Sequence, residues 1–71
     1  MFGEVLREAR IEAGMTQEQL AFEADLDRTF ISRLEHNHTL PTLDTFLRLA
    51  GARQLSAATF ITRVERDRRR P

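Results

Sequence analysis

A chain of 71 residues with 41% hydrophobic content is expected to form a single domain over residues 1–71. The count of 0 cysteines excludes disulfides and thiolate-bound zinc, leaving close helix packing or a partner chain to stabilise so small a core. Formal net charge is +0, from 11 basic residues, all arginine, against 11 acids, which argues against an indiscriminate polyanion binder.

Every segment reads as helix, because no stretch alternates apolar and polar residues with period two and only 2 prolines occur. Helix 1 is expected over residues 2–13, with Phe2, Leu6, Ala9 and Ala13 on one face and Gly14 as the left-handed stop. Helix 2 is expected over 16–24. Thr16 and Gln19 form a T-x-x-Q capping box, Met15 and Leu20 are placed as its hydrophobic staple, and Leu20, Ala21 and Ala24 form its buried stripe.

Helix 3, over 27–36, begins at the N-cap type Asp27 and turns Ile31 and Leu34 inward, with Asn37 as its stop. Helix 4, over 42–51, follows Pro41 and holds Leu43, Phe46, Leu47, Leu49 and Ala50, too many apolar residues for one narrow stripe. Helix 5, over 56–69, begins after the break at Gln54 to Ser56. Phe60, Ile61 and Val64 recur along it at helical spacing, and they are expected to divide between core (Phe60) and a dimer seam (Ile61, Val64).

Charge is segregated along this order. Residues 63–70 carry Arg63, Arg66, Arg68, Arg69 and Arg70 against Glu65 and Asp67, a net of +3, while residues 16–27 carry Glu18, Glu23, Asp25 and Asp27 with no base. An anion-binding face must be local and salt-sensitive. The Arg66-to-Arg70 run reads as a solvated tail, with a phosphate-contacting arm as the alternative.

Two short helices joined by a tight turn, the second with a polar outer face, make a helix-turn-helix pattern, in which the second helix enters the major groove of DNA. Arg28 can donate two hydrogen bonds to guanine O6 and N7, Thr29 can bond to a base or touch a thymine methyl, and Ser32 and Arg33 follow one turn later. Gln17 lies on the first turn of helix 2, where free backbone N–H groups and a side-chain amide can hold a phosphate.

Arg10, Gly14-Met15-Thr16-Gln17, Leu20-Ala21, Asp27-Arg28-Thr29-Phe30-Ile31-Ser32, Leu34-Glu35, Pro41-Thr42-Leu43 and Leu49-Ala50 stand in the order and spacing of one family. From Leu6 to about Ser56 the chain resembles the Xre (Cro/C1-repressor type) helix-turn-helix family. More narrowly, Leu26 to Ser32 is similar to the recognition helix of restriction–modification controller proteins. The resemblance implies an all-α, five-helix, lambda-repressor-like domain acting as a homodimer on a palindromic operator in double-stranded DNA. It implies base-reading positions at Arg28, Thr29, Ser32 and Arg33, and backbone contacts from Thr16, Gln17, Phe30, His38 and Thr39. It also implies a structural charged pair between Arg10 and Glu35, and a dimer interface that takes in Phe60, Ile61 and Val64. An acidic patch near helix 2 in this family implies RNA polymerase as a further partner, through Glu18 and Glu23.

The chain departs from the pattern at His36-Asn37, at the loop His38-Thr39-Leu40, which lacks the usual Lys or Arg, and at Arg53-Gln54. These departures bear on affinity rather than on the fold.

Other function classes are weaker. No nucleophile–base pair or phosphate loop marks an enzyme, and Glu4, Glu8 and Glu12 read as one solvated helix face. His36 and His38 form an H-x-H with no third ligand in sight, so neither metal nor cofactor is expected. A protein-interaction module such as an antitoxin is the alternative, though residues 57–71 leave little for a toxin-binding segment. With no apolar run of membrane length and no signal-type start, the expected place is a bacterial or phage cytoplasm, on the nucleoid and not in a membrane.

Overall fold

The structure, a computed structural model, describes residues 2–52 and 57–68. These form five helices: α1 (Phe2–Glu12), α2 (Gln17–Ala24), α3 (Arg28–Glu35), α4 (Leu43–Ala52) and α5 (Ala57–Arg68). The expected break at Gln54 to Ser56, the start of the fifth helix at Ser56, the Arg53-Gln54 departure and the terminal Arg69 and Arg70 lie outside the described residues.

The first three helices are bounded by local chemistry. Thr16 caps α2: its hydroxyl accepts from Gln19 N at 3.0 Å and its own N–H donates to Gln19 Oε1 at 2.8 Å. Asp27 caps α3 by accepting from Thr29 N at 2.9 Å. All three helices end in the same closure, one residue in the left-handed region with two overlapping backbone bonds. After α1, Gly14 (φ 70) donates to Ile11 O at 2.9 Å and Met15 donates to Arg10 O at 3.1 Å. After α2, Asp25 (φ 58) donates to Phe22 O at 3.3 Å and Leu26 to Ala21 O at 2.8 Å. After α3, Asn37 (φ 59) donates to Leu34 O at 3.1 Å and His38 to Arg33 O at 2.9 Å. Glycine, aspartate and asparagine are the residues that enter this region most readily.

The core is a single cluster. Leu6, Leu20, Ile31, Leu34, Leu49 and Phe60 are its large, fully enclosed members. Phe2, Phe46 and Phe60 tie α1, α4 and α5 together, with ring centroids 5.2 Å apart for Phe46–Phe60 in an edge-on pair and 5.6 Å for Phe2–Phe60. Each such pair adds about 0.5–1.5 kcal/mol beyond the area it buries.

Two expectations are corrected here, the buried face of α1 and the place of Phe60 in a dimer interface. Ala13 is exposed, and Gly3 and Val5 are buried on α1 in addition to Phe2, Leu6 and Ala9. Phe60 fills the core, as its spacing suggested, and with 0% exposure it has no surface within the chain to offer the dimer interface that the resemblance implies. Of the three seam residues, Ile61 stays exposed and Val64 packs half-buried against the core. The surplus of apolar residues on α4 is resolved as Leu43 and Leu47 facing out, while Phe46, Leu49 and Ala50 face in.

The start of α1 sits on the end of α3. Gly3 N–H donates to Asn37 Oδ1 at 2.9 Å, and Asn37 Nδ2 donates to Glu4 Oε2 at 2.6 Å. The positive end of one helix thereby meets the carbonyl end of the other. A Cβ on Gly3 would lie 2.6 Å from Glu35 O and 2.7 Å from Leu34 O, both backbone atoms that cannot swing aside. Gly3→Ala is therefore expected to lower stability by about 1–3 kcal/mol. Gly51→Ala, inside α4 with nothing within 4 Å, is expected to raise it by about 0.5–1 kcal/mol. Thermal unfolding followed by circular dichroism checks both signs.

Candidate nucleic-acid interface

Burial of Ile31 and Leu34 fixes the roll of α3, and that roll decides what faces out. Arg28, Thr29 and Arg33 are exposed, and Ser32 is half-buried. Phe30 is half-buried and packs against the core, so its ring is a partly exposed shoulder rather than a free contact. The outward face thus offers two guanidinium groups and two hydroxyls with no acid on its first turn.

The start of α2 lies beside this face. Arg10, Thr16, Gln17, Glu18 and Arg28 line one open notch, which brings the first turn of α2 next to the first residue of α3. Within the capping box Thr16 O and Oγ1 serve Leu20 and Gln19. The backbone N–H groups of Gln17 and Glu18, at the first two helical positions, have no carbonyl above them, as at any helix start. An anion approaching the notch meets those donors, the positive end of the α2 dipole and Arg28.

Behind the notch lies an ion pair. Arg10 Nε donates to Glu35 Oε2 at 2.6 Å and Arg10 Nη2 to Glu35 Oε1 at 3.1 Å. Arg10 Nη1 donates to Met15 O at 2.8 Å, in the turn that leads into α2. The Glu35 side chain is 1% exposed and that of Arg10 13%. Gln17 Nε2 also donates to Glu35 Oε1, at 3.1 Å. Sequence reasoning placed Gln17 on the first turn of helix 2 as a phosphate holder and missed this inward bond, because a contact across 18 positions leaves no local pattern.

The remaining candidate residues are not all brought together. His38 is exposed and Thr39 half-buried in the loop after α3, and neither lines the notch. The His36 and His38 rings lie 5.8 Å apart, and His36 Nδ1 lies 2.8 Å from Ser32 O. Among the described residues, no group of three or more His, Cys, Asp or Glu side chains comes together to hold a metal ion. No described helix is long and apolar enough to cross a membrane. Arg63 pairs with Glu12 on α1 at 3.2 Å, which removes it from any free basic arm. Glu18 and Glu23 are exposed on α2, as is Phe22, a residue 86% exposed.

A family model described as helix-turn-helix matches residues 6–60. The chain belongs to that helix-turn-helix family, of the Cro/C1 type. It is similar to the control protein C.BamHI of Bacillus amyloliquefaciens, 40% identical over 53 residues. That match takes in 73% of this chain and 65% of the relative, so the chain spans a little under two thirds of that relative's length. Its structure is similar to that of the restriction-modification controller protein C.AhdI from Aeromonas hydrophila, with TM-score 0.80 and 36% identity over 83% of this chain and 89% of that one. It is also similar to the wild-type restriction-modification controller protein C.Esp1396I, with TM-score 0.90 and 30% identity over 99% of this chain and 90% of that one.

Removing only one member of the buried pair leaves an uncompensated charge. Arg10→Ala is expected to cost about 3–5 kcal/mol, comparable to the whole stability of about 3–5 kcal/mol that so small a core supplies. The variant should be largely unfolded at room temperature by circular dichroism, whereas exposed Arg48→Ala should change stability by less than about 1 kcal/mol.

Proposed function

We propose that residues 1–71 act as one helix-turn-helix domain, a sequence-specific DNA-binding transcription regulator working as a homodimer on a palindromic operator. It is a restriction–modification controller protein in this reading, not an enzyme, and it works on the nucleoid in the cytoplasm. The observation that carries the proposal is the notch. There the exposed face of α3, with Arg28 at its head, adjoins the N-terminal turn of α2 with Gln17. The first can reach base edges while the second holds a phosphate, and base contacts specify where phosphate contacts position.

In the proposal Arg28, Thr29, Ser32 and Arg33 read bases. Thr16, Gln17, Phe30, His38 and Thr39 contact the backbone. Phe30, packed against the core, contributes less than the exposed positions. The family match and the likeness to controller proteins of 30% and 36% identity support the same reading.

A homodimer is supported by apolar surface that the monomer leaves in water. Leu40, Leu43, Leu47 and Ile61 are 75%, 72%, 50% and 47% exposed, on or just before α4 and α5, which pack against each other. Two-fold pairing through this surface and Val64 doubles the contact with DNA, and sets the half-sites one helical turn, about 34 Å, apart. In this reading control rests on the monomer–dimer equilibrium and operator occupancy. The exposed Glu18, Phe22 and Glu23 support a protein contact on the outer side of α2, with RNA polymerase as the partner.

The test is a binding selection from random duplexes at about 150 mM salt, with sedimentation alongside. The expected outcome is one palindrome bound by a dimer. A folded protein that selects no sequence overturns the reading in favour of a protein-interaction module. Arg28→Ala should cost about 1–3 kcal/mol and relax preference at one base position, while Gln17→Ala should weaken binding to all sequences about equally. Ile61→Asp and Leu47→Asp should sediment as folded monomers with reduced DNA affinity.

A further inference from the structure

We propose that Glu35 is a positioning residue for DNA contact, because its buried carboxylate holds the Gln17 amide ready for a phosphate before DNA arrives. The inference rests on the DNA-binding reading and adds to it a division of labour behind the notch. Glu35 itself touches no ligand. It acts through Gln17.

The geometry separates this role from charge neutralisation. Arg10 alone engages both carboxylate oxygens, through Nε at 2.6 Å and Nη2 at 3.1 Å. The pair is therefore complete without Gln17. Yet Gln17 Nε2 also reaches Glu35 Oε1, at 3.1 Å, from the first position of α2. A carboxylate only accepts, so the nitrogen end of the amide faces inward, and its second N–H remains for another acceptor. Gln17 is half-buried and lines the same notch as Arg28. A free glutamine loses several rotamers when it grips a phosphate, and one already held loses fewer. The same carboxylate stands at the end of α3, so the phosphate-holding turn and the base-facing helix are referred to one rigid point.

Breaking the pair with one substitution would confuse positioning with folding. Replacing both charges together, as Arg10→Met with Glu35→Leu, removes the anchor while leaving no unpaired buried charge, an exchange that is often neutral or stabilising. Wild type, this double variant, Gln17→Ala and the triple variant are titrated with one mixed-sequence duplex at low salt, each shown to be folded by circular dichroism. The expected result is that the double variant loses about three- to tenfold in affinity, the equivalent of one pre-ordered side chain, and loses nothing further in the Gln17→Ala background. Equal affinity of wild type and double variant overturns the proposal, as do losses that simply multiply.

A second measurement needs neither variants nor DNA. In the free wild-type protein the Gln17 side-chain amide should be rigid by ¹⁵N relaxation, matching the backbone of α2. A freely mobile amide overturns the positioning role and leaves the DNA reading intact. A rigid amide in a protein that binds no duplex overturns the DNA reading, and with it any function for the anchor.

Discussion

One carboxylate holds three helices in register. Glu35, at the end of α3, accepts from Arg10 on α1 and from Gln17 on α2, and Arg10 in turn ties down Met15 O in the turn between α1 and α2. Burying a charge costs several kcal/mol unless its partner and its remaining lone pairs are supplied, and here they are. A buried ion pair is weak evidence for stability in itself, since a well-packed apolar pair would serve as well. Its value lies in direction. Apolar packing would allow α2 to shift against α3, whereas two guanidinium bonds and one amide bond fix where the carboxylate, and with it the end of α3, must lie.

Short helices make that constraint necessary. α2 and α3 have 8 residues each, well under the length at which an isolated helix holds in water. Their ends are set by caps at Thr16 and Asp27 and by left-handed stops at Asp25 and Asn37. Their relative angle is set by the core and by Glu35. The surface that results is a recognition face one side-chain layer above a buried ion pair, which suits a protein that must present donors at fixed spacing with little core to hold them.

The legibility of the chain divides along the same line. Caps, stops and buried stripes are readable because they depend on neighbours within a turn or two. Thr16 with Gln19, Gly14 and Asn37 are all local signals. Asp25 falls within a visible break, but no glycine marks the position that takes up the left-handed backbone there. Contacts across the chain are not readable from periodicity. Gly3 looks like a helix-weakening residue until the carbonyls of Leu34 and Glu35 are seen beneath it. Phe60 lies on an apolar face of α5, and periodicity identifies a face without saying which surface covers it. Here α1 and α4 cover it through Phe2 and Phe46. The surplus on α4 is visible in the sequence, and its destination, exposed Leu43 and Leu47, is not. The Arg10–Glu35 pair comes from family resemblance alone, since nothing local links positions 10 and 35.

DNA is proposed to meet this protein across the notch between α2 and α3, and the base-reading role of α3 and the phosphate-holding role of Gln17 depend on that placement. Titrating ¹⁵N-labelled protein with a duplex and following amide resonances tests it most directly. Shifts are expected to concentrate at Thr16, Gln17, Arg28, Thr29, Ser32 and Arg33 and to leave the outer side of α2 around Phe22 unmoved. Shifts centred on Phe22 and Glu23, or on Leu43 and Leu47, with residues 28–33 silent, would contradict it.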